Sequence, residues 1–411
     1  MYENLELWWV TGAQLLYGGD AVVAVDGHSK EMVEGLNASG NIPIKIVYKG
    51  TANSSKEVEA VMKAANNDEK CAGIITWMHT FSPAKMWIKG LQALQKPLLH
   101  FHTQYNAEIP WDSIDMDFMN LNQAAHGDRE FGFILARLRL PHQVVAGFYQ
   151  HEQVIAKIRR FADVAAAWHF SHDLKVGSFG NNMREVAVTD GDRVESQICY
   201  GWECNYFALG DLVAEINAVS AADIDAKMDE YRQRYVMKTD RVDTVREQAR
   251  YEVGIARFLK DHDLGAFADT FQDLHGLRQL PGLAVQNLMG EGIGFGPEGD
   301  YKIAALSAVL MRMSKGRSGA TGFIEDYTYD LTPGHELELA SPMLEVPVTL
   351  AANKPVIDVM PLGIGGKEDP ARLIFDGITG EGIQVTLVDL GDHFRIICAD
   401  IELVTPPEPL P

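Results

Sequence analysis

Short apolar runs separated by helical stretches fill the first 180 residues, and this alternation constrains the fold more than any other feature. LELWWV (5–10), IPIKIVY (42–48), AGIITWM (72–78), KPLLHFH (96–102), QVVAGFY (143–149) and LKVGSFG (174–180) read as strands. None alternates strictly between apolar and polar residues, as expected where both faces of a sheet are covered. Strands joined through helices pair in parallel, so βαβ units and a doubly wound sheet are predicted. Ligands of such sheets sit at the carboxyl ends of the strands. That directs attention to Gly12-Ala13-Gln14, His79 and His102. The turn after the first strand, TGAQLLYGG, is not a GxGxxG phosphate loop, which argues against a nicotinamide-dependent dehydrogenase.

The chain has 411 residues, more than one core ordinarily serves. The pattern predicts an α/β protein: two doubly wound, Rossmann-like α/β domains followed by an antiparallel β-rich C-terminal domain. The expected boundaries are 1–175, 176–326 and 327–411. Ser54 with Glu57 reads as a capping box. Residues 115–140 read as a long helix, broken near Gly127. Residues 220–262 and 302–314 carry further helical patterns, and GEGIGFGPEG (290–299) is a glycine loop suited either to close backbone approach or to a plain turn. Beyond 327, alternating runs split by Gly, Pro and Asp point to antiparallel strands, in a small barrel or sandwich.

Net charge is −21 with no Lys/Arg-rich block, so nucleic acid and anionic membranes are poor partners. No 18-residue apolar run is present, and MYENLELWWV lacks the basic region of a secretory signal. Cys71, Cys199, Cys204 and Cys398 form no CxxC pair, which fits a reducing, cytoplasmic location.

Two carboxylates stand out. Glu298 lies with Asp300 in GPEGDYK, just ahead of the 302–314 helix, where a helix cap is the ordinary reading. Glu325 interrupts FIEDYTYDL (323–331). As a strand, this run would place Phe323, Glu325, Tyr327 and Tyr329 on one face, and a buried carboxylate there needs a partner. Two such carboxylates, with imidazoles, suit an oxygen-preferring divalent cation such as Mn²⁺ or Mg²⁺, which polarises a carbonyl and its neighbouring hydroxyl. His126 and His275 are further candidates, each with an ordinary structural reading; no Ser-His-Asp arrangement is evident.

HTFSPAKMW (79–87), PWDSIDMDFMNLNQAAHG (110–127), FGNNMREVAVTDGD (179–192), DLHGLRQLPGLAVQ (273–286), PEGDYK (297–302), EDYTY (325–329), MLEV (343–346) and LGIGGKEDPARLIF (362–375) resemble the bacterial L-arabinose isomerases, from about residue 6 onward. The resemblance implies a metal-dependent aldose–ketose isomerase that interconverts L-arabinose and L-ribulose, and often D-galactose and D-tagatose. It implies Mn²⁺ (or Mg²⁺ or Co²⁺) as cofactor, a small sugar as the ligand, and a homohexamer whose active sites are shared between subunits. Glu298 and Glu325 match the family's two glutamate ligands, which are implied also to move the proton between C1 and C2 through an ene-diol. Implied substrate contacts are Gln14, Leu16, Gln123, His126, Met183, Phe271 and Met343.

The departures concern imidazoles. The family's third metal ligand is the histidine of SHMLEV; here Pro342 occupies that place. Its fourth belongs to a His-His pair in a segment that would follow TPPEPLP, which also carries the histidine implied in ring opening. Leu15 stands where the family's QHLYG has histidine. His335 is a substitute only if the Pro-Gly turn before it aims it inward. Metal binding is then expected to be weak. The alternative expectation is a catalytically impaired, sugar-binding or assembly-only homologue.

Overall fold

Each apolar run of the first 180 residues forms a strand. In a computed structural model describing residue 2, residues 4–342 and residues 344–408, the chain divides into two compact units, Met1–His169 and Phe170–Pro411. The first unit is one parallel sheet of β1 (Glu6–Gly12), β2 (Lys45–Ala52), β3 (Cys71–Trp77), β4 (Leu98–His102) and β5 (Gln143–Ala146), in the order β2-β1-β3-β4-β5. Its helices are α1 (Gly19–Ala38), α2 (Ser55–Asn67), α3 (Ile88–Ala93), α4 (Met116–Leu121), α5 (Ala124–Leu138) and α6 (Glu152–His172), the last turn of which passes into the second unit.

The strand pleat divides the apolar residues between two cores. Leu7 and Trp9 of β1 pack with Met32 and Leu36 of α1 and Ile158 and Phe161 of α6. Trp8 and Val10 pack on the opposite face with Val58 and Met62 of α2 and Phe131 and Leu135 of α5. This double cover is why the strands read as continuous apolar runs. The strand order reverses direction between β1 and β3, so their carboxyl ends form the crevice where such sheets take ligands.

Ser54 caps α2, accepting from the Glu57 N–H, while the Glu57 carboxylate reaches back to the N–H of Asn53 at 2.7 Å. The helix expected over 115–140 is broken at Asn122–Gln123, between α4 and α5, rather than at Gly127. Asn122 turns its amide back onto the Phe118 carbonyl and ends α4. Gly127 sits inside α5 because the helix packs there against the segment that follows β3. A Cβ at 127 would come within 2.8 Å of the Met78 side chain and the Thr80 carbonyl.

The second unit repeats the parallel design with β6 (Lys175–Phe179), β7 (Glu203–Phe207), β9 (Ala266–Asp269) and β10 (Gly294–Gly296), ordered β10-β9-β6-β7. Helices α7 (Arg193–Tyr200), α8 (Leu209–Asn217), α9 (Ala221–Arg234), α10 (Val242–Asp261), α11 (Gly282–Gly290) and α12 (Tyr301–Ser314) connect and cover it. Between α9 and α10, β8 (Val236–Met237) pairs with β13 (Val356–Val359), which is antiparallel to β14 (Ala371–Ile374). Antiparallel pairs β11 (Thr328–Asp330) with β12 (Leu337–Leu339), and β15 (Gly380–Asp389) with β16 (Phe394–Leu403), complete a strand-rich C-terminal region. Its described strands form separate sheets of two or three strands.

The FIEDYTYDL run is a strand only over β11. Residues 323–327 have no regular structure, Phe323 packs on the core of the second unit, and Tyr327 and Tyr329 are exposed. The ladder begins only where the Tyr327 N–H meets the Leu339 carbonyl, so Glu325 is not on an aromatic strand face. Among the described residues, no helix is long and apolar enough to cross a membrane.

Candidate active site

The glycine loop 290–299 leads directly to Glu298. Gly294 and Gly296 form β10, and α12 folds back onto them so closely that a Cβ on Gly296 would lie 2.0 Å from the Asp300 carbonyl. The close approach these glycines permit is to their own helix. Glu298 then adopts φ 59°, ψ 16°, a left-handed conformation uncommon for a residue with a Cβ. Strain of this kind persists only where the surroundings hold it. Here the Glu298 carbonyl accepts from the Met183 N–H at 2.8 Å, bringing an expected substrate contact beside an expected metal ligand.

The helix-capping role divides the two acids of GPEGDYK. Asp300 caps α12, accepting from the N–H groups of Lys302 and Ile303. Glu298 caps nothing, so its carboxylate is left for other chemistry. Lys302 is fully buried: its Nζ pairs with Asp300 at 3.0 Å and donates to the carbonyls of Val188, Thr189 and Asp190. This ties the 181–192 loop, and Met183 with it, to the start of α12.

Glu325 is half-buried and its carboxyl is raised above its ordinary pKa, by burial first and then by repulsion from Glu298 and Asp326. Glu298 is raised by burial and by Asp300. Residues 27 positions apart in sequence are thus near enough for the charge of Glu298 to raise Glu325. Two further acids lie behind them. Asp269, at the carboxyl end of β9, is pushed up to about 7 by burial. Glu345 is pushed up to about 8 by burial, with Asp269 and Glu325 adding repulsion. The sequence reading missed both. Their signal was a charge ending one apolar run, LGAFAD, and one inside another, MLEV.

A row of mutually repelling carboxylates suits a hard, oxygen-preferring divalent cation by donor chemistry. The fit extends to the Glu298–Glu325 pair and no further. Among the described residues, no third His, Cys, Asp or Glu atom converges on that pair. The one group of three that meets is Glu230, Glu252 and Glu291, where Lys227 already pairs with Glu230 and Glu252. Pro342 is buried and offers no ligand atom, and His335 is exposed beside Asp330. Phe271 is half-buried against the core of the second unit; Met343 lies outside the described residues. His275 is exposed.

The remaining expected contacts lie in the first unit. Gln123 and His126, at the start of α5, line a cleft of about 510 Å³ with Phe81, Arg129, Glu130 and Phe133. Glu130 is held by the Ala84 N–H. Gln14 follows β1, half-buried, and its buried amide nitrogen has no partner among the described residues. Leu16 is exposed on the next turn. Of the strand-end histidines, His79 is fully buried, stacked on Trp77 and 2.8 Å from His28; burial holds it down at about 3. His102 is partly exposed beside the buried Asp128.

Comparison with known proteins decides the family. Models of the L-arabinose isomerase N-terminal, central and C-terminal domains match residues 1–173, 175–316 and 320–411. The chain belongs to the L-arabinose isomerase family. It is 52% identical to L-arabinose isomerase 1 of Bacillus licheniformis, over 98% of this chain and 82% of that protein. It is 52% identical to L-arabinose isomerase of Oceanobacillus iheyensis, over 100% of this chain and 87% of that one. Against L-arabinose isomerase of Klebsiella pneumoniae the identity is 51%, over 100% and 84%.

Proposed function

We propose that this chain is an aldose–ketose isomerase that interconverts L-arabinose and L-ribulose, with D-galactose and D-tagatose as a second pair, and that Glu298 and Glu325 are its acid/base pair. What supports this reading is the repulsion that Glu298 exerts on the Glu325 carboxyl, both groups being raised in pKa and neither serving as a helix cap. Aldose–ketose exchange needs a proton removed from C2 and returned to C1. A carboxylate whose pKa is raised toward neutrality both takes and returns such a proton efficiently. The same pair would hold a Mn²⁺, Mg²⁺ or Co²⁺ ion, which when bound polarises the sugar's carbonyl and hydroxyl oxygens. With Pro342 standing where the family's third ligand would be, binding is expected to be weak. Met183, Phe271 and Met343 of the second unit, and Gln14, Leu16, Gln123 and His126 of the first, are each proposed as sugar contacts.

Assembly is part of the proposal. Leu15, Leu16, Trp111, Met116 and Met119 are exposed apolar side chains in the first unit. They suit burial in a homohexamer whose neighbouring subunits complete each site.

The test is ketose formation from L-arabinose with added Mn²⁺. Glu298→Gln and Glu325→Gln should each lower kcat by about 10²–10⁴-fold and weaken Mn²⁺ binding in calorimetry. Intact oligomers that form no ketose, yet bind the sugar, would favour the impaired sugar-binding reading that Pro342 motivates.

A further inference from the structure

The cleft of the first unit contains a hydrogen-bond chain that substrate contact alone does not explain. The amide nitrogen of Gln123, Nε2, lies 3.2 Å from the Tyr17 hydroxyl and 3.4 Å from Oδ1 of Asn120. An amide nitrogen carries two protons and accepts nothing. Both protons are therefore directed toward Tyr17 and Asn120. That leaves the carbonyl oxygen, Oε1, facing Nδ1 of His126 at 3.2 Å. A carbonyl oxygen only accepts, so with the amide in this orientation Nδ1 of His126 carries the ring proton. In the neutral ring, Nε2 is then a bare lone pair. His126 is exposed, stands edge-on to Phe81, and lines the cleft.

The ends of the chain are anchored. Asn120 is in the last turn of α4, and its backbone carbonyl accepts from the hydroxyl of buried Thr80 at 2.8 Å. Tyr17 closes the short 3₁₀ turn after β1. Two segments more than a hundred residues apart thus meet on one amide group.

We propose that Tyr17 and Asn120 are positioning residues: they fix which way the Gln123 amide faces and, through it, hold His126 in the tautomer whose Nε2 accepts from a sugar hydroxyl. The proposal rests on reading the cleft as a sugar site, but its main consequence is visible without sugar. The network has one self-consistent alternative, in which the Gln123 and Asn120 amides are both turned over. Gln123 would then donate to Nδ1, and the proton of His126 would move to Nε2.

The experiment is nitrogen-15 NMR of the ligand-free full chain, labelled at histidine, at a pH where the rings are neutral. His126→Gln identifies the signal. The expected result is Nδ1–H for His126 in the parent protein. Asn120→Asp should retain it, because a carboxylate can only accept and so locks the amide in the same sense. The double variant Tyr17→Phe/Asn120→Leu removes both acceptors and should mix the two tautomers. It should also raise KM for L-arabinose roughly three- to tenfold, the scale of one net hydrogen bond. Thermal unfolding of each variant separates this effect from loss of fold. An Nε2–H proton in the parent, a tautomer switched by Asn120→Asp, or one unchanged in the double variant would each overturn the proposal. Absence of turnover in the parent would count against the isomerase reading and leave the tautomer result standing.

Discussion

At the scale of single residues, the second unit concentrates carboxyl groups raised by burial and mutual repulsion. Asp269 and Glu345 hold their protons to about pH 7 and 8, well above the ordinary carboxylate range, because burial disfavours the ionised form. The consequence for stability has a definite sign. A carboxyl raised in the folded state binds more protons folded than unfolded between its ordinary pKa, about 4, and its raised one. Its stabilisation is complete below about pH 4 and is lost as pH rises through 8. Metal-free protein should therefore be less stable at pH 8 than at pH 5, by on the order of a few kcal/mol. Glu345→Gln should flatten much of that slope in chemical denaturation. A slope unchanged by the substitution would mean that Glu345 is ordinarily ionised. Glu298, by contrast, owes its availability to Asp300. One acid of the motif caps α12, so the other is free for chemistry.

At the scale of elements, the β10–α12 connection decides the geometry of the site. A parallel strand followed at once by a helix needs the chain to reverse over itself. Here β10 lies against the first turn of α12 with only glycine able to fit. Gly296→Ala should destabilise the protein by about 1–3 kcal/mol or more, as overpacking does, and should lower kcat as well by displacing Glu298. Differential scanning calorimetry beside the ketose assay would check both; a variant as stable and active as the parent would refute the close-packing account. The α4–α5 break illustrates the limit of reading helices locally. Glycine is a poor helix former, so a break near Gly127 was expected. Packing against Met78 and Thr80, just beyond β3, requires a residue without a Cβ there, and tertiary contact overrides propensity. The break falls instead at Asn122, whose side chain competes for the helix's own carbonyls.

At the scale of the whole molecule, the exposed apolar surface of the first unit bears on assembly. Trp111 is 81% exposed, an expensive state for an indole in water. Light scattering should give a mass six times that of one chain. Trp111→Asp should shift the population toward smaller species, with activity falling alongside if neighbouring subunits complete each site. A monomer at micromolar concentration would remove the basis for shared sites. The net charge of −21 predicts that low salt weakens such an assembly through self-repulsion.

The sequence determined the α/β class of the two parallel sheets and the position of every strand from β1 to β6, because double burial writes itself as unbroken apolar runs. Its motifs also marked Glu298, Glu325, Gln123 and His126. Tertiary structure alone decided the rest: that Glu325 leaves the strand, that Asp300 and not Glu298 caps the helix, and that Asp269 and Glu345 crowd behind the pair. The reason is physical. Periodicity records which side of an element faces a core, a local property, whereas the pKa and partner of a charge depend on residues far away in the chain that only folding brings near.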